Sequence, residues 1–136
     1  MRAFPVIETE RFYLREIKDT DVDEVFDMRS NPELMRFIPR PICKLKEEAL
    51  LHIHRLQKGF NENDSVNWGI TYKNETKLIG IIGYVRMQQE NYRAEIGYIL
   101  NKPEHKKGVM REILKPLMHF GFAHLNLNSI AAVVDP

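Results

Sequence analysis

Glu95-Ile-Gly-Tyr-Ile-Leu100, followed by Asn101-Lys-Pro-Glu-His105-Lys-Lys-Gly108-Val-Met-Arg-Glu112, is the stretch that decides how this chain folds. Residues 94–100 carry β-branched and aromatic side chains with little helical period, so they read as a strand. Asn101, Lys102 and Pro103 end it. From Val109 the apolar residues fall at 109, 110, 113, 114, 117 and 118, the spacing of one helix face. A strand feeding a helix that opens on glycine offers free N–H groups and the positive end of a helix dipole. Lys106, Lys107 and Arg111 add full charges there. The combination suits a bound pyrophosphate.

Working outward, helices and strands alternate. Ile7 to Ile17 reads as a strand, with Arg11, Tyr13 and Arg15 on one side and Phe12 and Leu14 on the other. Asp19-Thr-Asp21 starts a helix over Val22 to Arg29. Pro32 opens a second, through Phe37, and Pro39-Arg-Pro41 breaks the chain. Lys44 to Phe60 is amphipathic, with Ala49, Leu50, Ile53 and Leu56 as its stripe. Val66 to Tyr72 and Leu78 to Met87 form a hairpin about Asn74-Glu-Thr. Tyr92 to Leu100 and Ser129 to Val134 are further strands. The order β-α-α-α-β-β-β-α-β implies a mixed α/β fold with helices flanking a sheet. The unit from Glu95 to Val134 should be a parallel strand–helix–strand crossover. Pro116 should kink or break its helix, leaving the first turn intact.

Composition narrows the classes of function. The chain has 136 residues, enough for one core, and a net charge of +1, so no whole-protein field points to nucleic acid. Its one cysteine, Cys43, excludes an intrachain disulfide and gives no sign of a secretory context. No apolar run reaches membrane-spanning length and no signal-like block opens the chain, which favours the cytoplasm.

Four stretches occur in a telling order: Thr9-Glu-Arg-Phe-Tyr-Leu-Arg15, Trp68-Gly-Ile70, Glu95-Ile-Gly-Tyr98 and Gly108-Val-Met-Arg-Glu112. Over nearly its whole length the chain resembles the GCN5-related N-acetyltransferases (GNAT), and within them the branch of ribosomal-protein alanine N-acetyltransferases. Members of that branch often read Thr-Glu-Arg-Leu-x-Leu-Arg, Trp-x-Ile, Glu-Ile-Gly-Tyr and Gly-x-Met-x-Glu. The family's acyl-CoA signature, Gln/Arg-x-x-Gly-x-Gly/Ala, stands here as His105-Lys-Lys-Gly108-Val-Met110, a strict match only at Gly108.

The resemblance implies one acetyltransferase domain over 1–136, C-terminally short, with a largely antiparallel sheet and a parallel CoA-binding unit. It implies acetyl-CoA as co-substrate, with His105, Lys106, Lys107, Gly108, Val109, Met110 and Arg111 around its pyrophosphate. The backbone of Tyr98, Ile99 and Leu100 would lie beside the pantetheine arm, and an N–H there would stabilise the oxyanion. The acceptor it implies is a protein N-terminal α-amine. A polyamine or antibiotic amine is the alternative within enzymes, and a non-catalytic acyl-CoA-binding module the alternative outside them. The family's usual general acid is a tyrosine further along than Asp135-Pro136. An uncovered edge after the last strand would be met by a second copy of the chain or by lower stability.

Glu95 is the candidate base. It stands between Ala94 and Ile96, where partial desolvation would raise a carboxylate's pKa and suit proton abstraction. An α-amine, with a reference pKa of about 7.7–8.0, asks less of a base than a lysine amine at about 10.4. Other residues have simpler roles. Glu112 in the first helical turn suits the dipole. His52 and His54, two apart on a helix, diverge, and no metal site is expected. Cys43 is passive, and Trp68 lines the core or the cleft.

Overall fold

The computed structural model describes residues 3–36, 38, 40–62, 64–88, 93–124 and 129–132. One six-stranded sheet runs through it in sequence order. Strands β1 (Ile7–Glu8), β2 (Phe12–Arg15), β3 (Val66–Tyr72), β4 (Gly80–Gln88) and β5 (Arg93–Leu100) each run antiparallel to the next, and β6 (Ser129–Ala132) lies parallel to β5. Helices α1 (Val22–Arg29), α2 (Pro32–Met35) and α3 (Lys46–Asn61) fall between β2 and β3, and α4 (Val109–His124) between β5 and β6. The hairpin of residues 66–88 and the parallel unit that begins at β5 are both found.

Two expectations need correction. Ile7 to Ile17 is not one strand. The chain reverses at Thr9–Arg11, pairing Ile7 with Leu14 and Glu8 with Tyr13. Thr9 makes the turn, its N–H bonding the Phe12 carbonyl (2.9 Å) and its hydroxyl accepting from the Phe12 N–H (3.2 Å). Alternating polarity cannot reveal such a reversal, because both arms of a tight hairpin keep the same period. Nor does Pro116 break α4. Val109, Ile113, Leu117 and Gly121 form a buried stripe on both sides of the proline. The Tyr84 hydroxyl, 2.5 Å from the Leu117 carbonyl, fastens the second half to the sheet. Burying several such apolar side chains, at about 1.5–3 kcal/mol each, outweighs a proline penalty of roughly 3 kcal/mol. The expected helix through Phe37, the strand start at Tyr92 and the chain after Ala132 fall partly on residues outside the described set.

The sheet separates two cores. On one face Phe12, Leu14, Trp68, Ile70, Ile82, Tyr84, Ile96 and Leu100 pack with Val109, Ile113 and Leu117 of α4. On the other, Ile81 and Ile99 pack with residues of α1, α2 and α3 such as Val25, Met28, Met35 and Ile53. β5 therefore has its even residues 96 and 100 toward α4 and its odd residue 99 toward α1–α3. Side chains alternate along a strand, so Glu95 and Gly97 share the second face.

Candidate active site

The site is built around the C-terminal half of β5 and the turn into α4. Parallel pairing with β6 covers residues 93–96 of β5. Farther along, the β4 ladder fixes which backbone groups point where. The Asn101 N–H bonds the Ile79 carbonyl (2.9 Å). Bonded and non-bonded pairs alternate in an antiparallel ladder. Ile99 opposite Ile81 is thus a bonded pair, whereas Tyr98 opposite Ile82 and Leu100 opposite Gly80 are not. Tyr98 and Leu100 direct their N–H and C=O groups away from β4, to the β6 side. Ile99 directs its own to β4, so of the three residues expected beside an extended ligand it contributes shape rather than backbone groups.

The turn itself is short and strained. Asn101 caps a 3-10 turn at Lys102–Glu104, and His105 follows. The His105 Nε2 lies 2.7 Å from the Leu100 carbonyl, an acceptor, so this nitrogen carries the proton. Lys106 (φ 66°) and Gly108 (φ 75°) both adopt the left-handed conformation. Glycine takes it without strain, and lysine at a cost of about 1–2 kcal/mol. Lys106, Lys107, Gly108 and Arg111 are exposed, Val109 is buried and Met110 half-buried. The last two therefore offer the site their backbone rather than their side chains. This arrangement fits a pyrophosphate: exposed cations, a left-handed glycine and the first N–H groups of a sixteen-residue helix.

Three residues join the turn that its own sequence does not reveal. Glu104 accepts from the Tyr72 hydroxyl (2.5 Å) and lies 3.7 Å from the Lys107 ammonium. The bond to Glu104 holds the Tyr72 hydroxyl above its ordinary pKa. Thr9 and Arg11 arrive from the β1–β2 turn and meet Glu112 of α4. Glu112 lies in the first turn of α4, where a carboxylate suits the dipole, and its oxygens also bond Thr9 and Arg11.

On the opposite face Glu95 is half-buried on β5, opposite Val85 of β4 and Ala131 of β6. Toward the helices packed on that face stands an unusual basic group. Arg29 is buried, and among the described residues its Nε has no hydrogen-bond partner. Desolvation first, then the charges of Arg29, Arg40 and Arg55, push the His52 imidazole down to about 3. His54 points elsewhere, 3.1 Å from Asp19. Among the described residues no group of three or more His, Cys, Asp or Glu side chains could hold a metal ion, and no helix is long and apolar enough to cross a membrane. Cys43 is buried and free.

Residues 11–136 match the family described as the acetyltransferase (GNAT) domain. This chain belongs to the GNAT acetyltransferases. An uncharacterized N-acetyltransferase from Bacillus subtilis, YoaA, is 36% identical over 132 residues, which are 96% of this chain and 74% of that protein. Two solved structures share the fold. The ribosomal-protein-S5-alanine acetyltransferase of Vibrio fischeri has a TM-score of 0.79 at 23% identity, covering 94% of this chain and 73% of that one. The spermidine N-acetyltransferase of Vibrio cholerae, solved with CoA and spermine, has a TM-score of 0.76 at 19% identity, covering 89% and 69%. The GNAT chain is accordingly an acetyl-CoA-dependent N-acyltransferase.

Proposed function

We propose that this acetyltransferase acts on a protein N-terminal α-amine, with Glu95 as its base and the Lys106–Arg111 turn as its pyrophosphate site. Acetyl-CoA supplies the activated acetyl group. The Gly108 and Val109 N–H groups, with Lys106, Lys107 and Arg111, hold its phosphates. Tyr98 and Leu100 align the pantetheine amides, and the Tyr98 N–H, directed to the β6 side, donates to the carbonyl oxygen as charge develops there. The acceptor approaches from the α1–α3 face, where Glu95, directly or through a water, takes the ammonium proton; the freed amine bonds the acetyl carbonyl carbon, and the C–S bond breaks as CoA leaves as its thiolate. An α-amine is already partly neutral near pH 7–8, so orientation supplies much of the acceleration.

The observation that favours a protein terminus over a polyamine is the basic group on that face. After burial, the charges of Arg29, Arg40 and Arg55 are what press the His52 imidazole down. A polycation such as spermidine would be repelled there, whereas a peptide bearing an acidic residue or carbonyl oxygens near its terminus would not. The test is a CoA-release assay with free-terminus peptides beginning with Ser or Ala, the same peptides Nα-blocked with an internal lysine, and spermidine. The free-terminus peptides should turn over fastest. Faster turnover of spermidine would overturn the acceptor, and silence with every amine would favour a binding module. For the donor half, calorimetry on Gly108→Trp should show CoA affinity reduced at least about tenfold, because an L residue at φ 75° is strained and its Cβ would stand 3.7 Å from the Arg11 guanidinium, disturbing the turn. Unchanged affinity would move the CoA site elsewhere.

A further inference from the structure

A polar cluster joins residues about a hundred positions apart at the edge of the turn assigned above to CoA. The Arg11 Nε donates to Glu112 Oε1 (2.6 Å) and its backbone N–H to Glu112 Oε2 (2.9 Å). The Thr9 hydroxyl donates to the same Oε2 (2.6 Å). The far end of the guanidinium reaches the turn: Nη1 donates to the Lys107 carbonyl (3.2 Å) and Nη2 to the Gly108 carbonyl (3.4 Å). Arg11 is 42% exposed and Glu112 20%. A pair so accessible contributes little to global stability, so stability alone gives no reason for five convergent bonds.

Their geometry gives one. In a planar trans peptide the C=O and the following N–H point in opposite directions. The Lys107 carbonyl shares its peptide with the Gly108 N–H, and the Gly108 carbonyl with the Val109 N–H. A guanidinium on the Lys107 carbonyl therefore turns the Gly108 N–H to the far side, and the Gly108 carbonyl, which also accepts the Glu112 N–H (3.1 Å) as the first bond of α4, turns the Val109 N–H the same way. Val109 opens the helix, so its N–H is one of the donors with no partner inside it. Gly108, left-handed and without a side chain, is the one unit of this turn with little torsional preference of its own. It gains most from an external clamp. Glu112 matters for a second reason. A carboxylate in the first turn of α4 would repel a phosphate at the same end, and Thr9 and Arg11 turn its oxygens aside and neutralise it. Although burial opposes its ionisation, the bonds from Thr9 and Arg11 prevail, and the Glu112 carboxyl sits below its ordinary pKa.

We infer that Arg11, held by Glu112 and Thr9, is a positioning residue for the donor substrate: it fixes the Lys107 and Gly108 carbonyls so that the Gly108 and Val109 N–H groups converge on the pyrophosphate of acetyl-CoA. This rests on the assignment of the CoA site to the turn. Arg11 itself lies on the carbonyl side of the turn and makes no contact with the phosphates. The inference links the Thr-Glu-Arg stretch near the start of the chain to the glycine turn as two halves of one device.

The experiment compares ligands that share the arm and differ in the phosphates. Dissociation constants for CoA and for pantetheine are measured calorimetrically on the full chain, for wild type, Arg11→Met, Arg11→Lys and Gly108→Trp. In Arg11→Met, CoA should weaken roughly tenfold, the scale of one or two charge-assisted contacts, while pantetheine is unchanged. Arg11→Lys should not restore it, since one ammonium cannot span two carbonyls and a carboxylate. Equal weakening of both ligands would mean general damage and overturn the inference, as would full rescue by lysine, which would reduce Arg11 to a charge. If Gly108→Trp weakens CoA and Arg11→Met does not, the positioning role fails alone. If Gly108→Trp also leaves CoA unchanged, the site assignment fails with it.

Discussion

The two faces of the sheet are made differently. Toward α4 the core is aromatic and, among the described residues, its buried polar side-chain atoms are matched. Trp68, fully buried, donates from Nε1 to the Pro5 carbonyl (2.8 Å) and meets Phe4, Tyr84 and Phe120 edge-on. Tyr84 is bonded to Leu117, and burial first of all raises its hydroxyl pKa. Toward α1–α3 the core is aliphatic and sulphur-rich, with Met28, Met35 and Cys43, and it contains a guanidinium whose Nε is left unmatched. The contrast follows from what each face must do. On the proposed assignment, the α4 side sets the height and direction of the helix whose first turn would hold the phosphates, and an ångström of error there would misplace the donor. The α1–α3 side would receive the acceptor. A polar group that the chain does not satisfy internally is one that a partner can satisfy.

This contrast can be broken at several points, beginning with the chemistry on the acceptor face. Glu95→Gln should lower kcat by about 10²–10⁴, the range for loss of a general base, with CoA affinity nearly unchanged. A rate near wild type across pH would make Glu95 structural and leave orientation as the source of rate. Next in size is a paired stability test by denaturant unfolding. Trp68→Ala should cost about 3–5 kcal/mol through cavity formation and a stranded Pro5 carbonyl. Arg29→Met, which removes an unmatched buried Nε, should leave stability within about 1 kcal/mol of wild type or raise it. A large loss at Arg29 would show the α1–α3 face to be as tightly built as its opposite.

Acid should act on one face first. The His52 pKa is depressed from its ordinary 6.5 to about 3 by burial and three arginines. The unfolded chain thus binds this proton more readily than the folded one, so stability contributed by neutral His52 is full above about pH 6.5 and is lost progressively as pH falls toward 3. Melting curves of His52→Gln should be flatter than wild type over that window, and identical slopes would contradict the depressed value. The smallest effect concerns Lys106. Lys106→Gly should change stability by no more than about 1 kcal/mol, relieved left-handed strain offsetting added chain entropy. It should still weaken CoA by severalfold through the lost charge, and unaltered CoA binding would remove Lys106 from the site.

Much of this was legible in the residues. The strand ending at Leu100, the helix from Val109 and the hairpin of Val66 to Tyr72 and Leu78 to Met87 follow from period and punctuation, and the chemistry its turn requires marks Gly108. The site's supports were not. Thr9, Arg11 and Glu112 lie a hundred residues apart, and no local pattern states that a hairpin tip reaches a helix start. The reversal at Thr9–Arg11 was hidden because alternation survives a tight turn. At Pro116 the local penalty is visible in sequence, whereas the burial at Ile113 and Leu117 that opposes it is not. Which of Tyr98, Ile99 and Leu100 offers its backbone depended on ladder parity, a property of pairing rather than of sequence. Arg29 gave no signal at all, since an arginine ending a helix is ordinarily solvated.

The central claim is that the Gly108 turn, rather than the basic face at Arg29, holds the phosphates of acetyl-CoA. Titration of isotopically labelled protein with CoA, read by backbone amide resonances, addresses it directly. The account predicts that the Gly108 and Val109 amides move most, with Lys106, Lys107, Tyr98 and Leu100 following and the amides of α1 and α3 nearly still. Largest shifts at Arg29, Arg40 and His52, with Gly108 and Val109 unmoved, would contradict it.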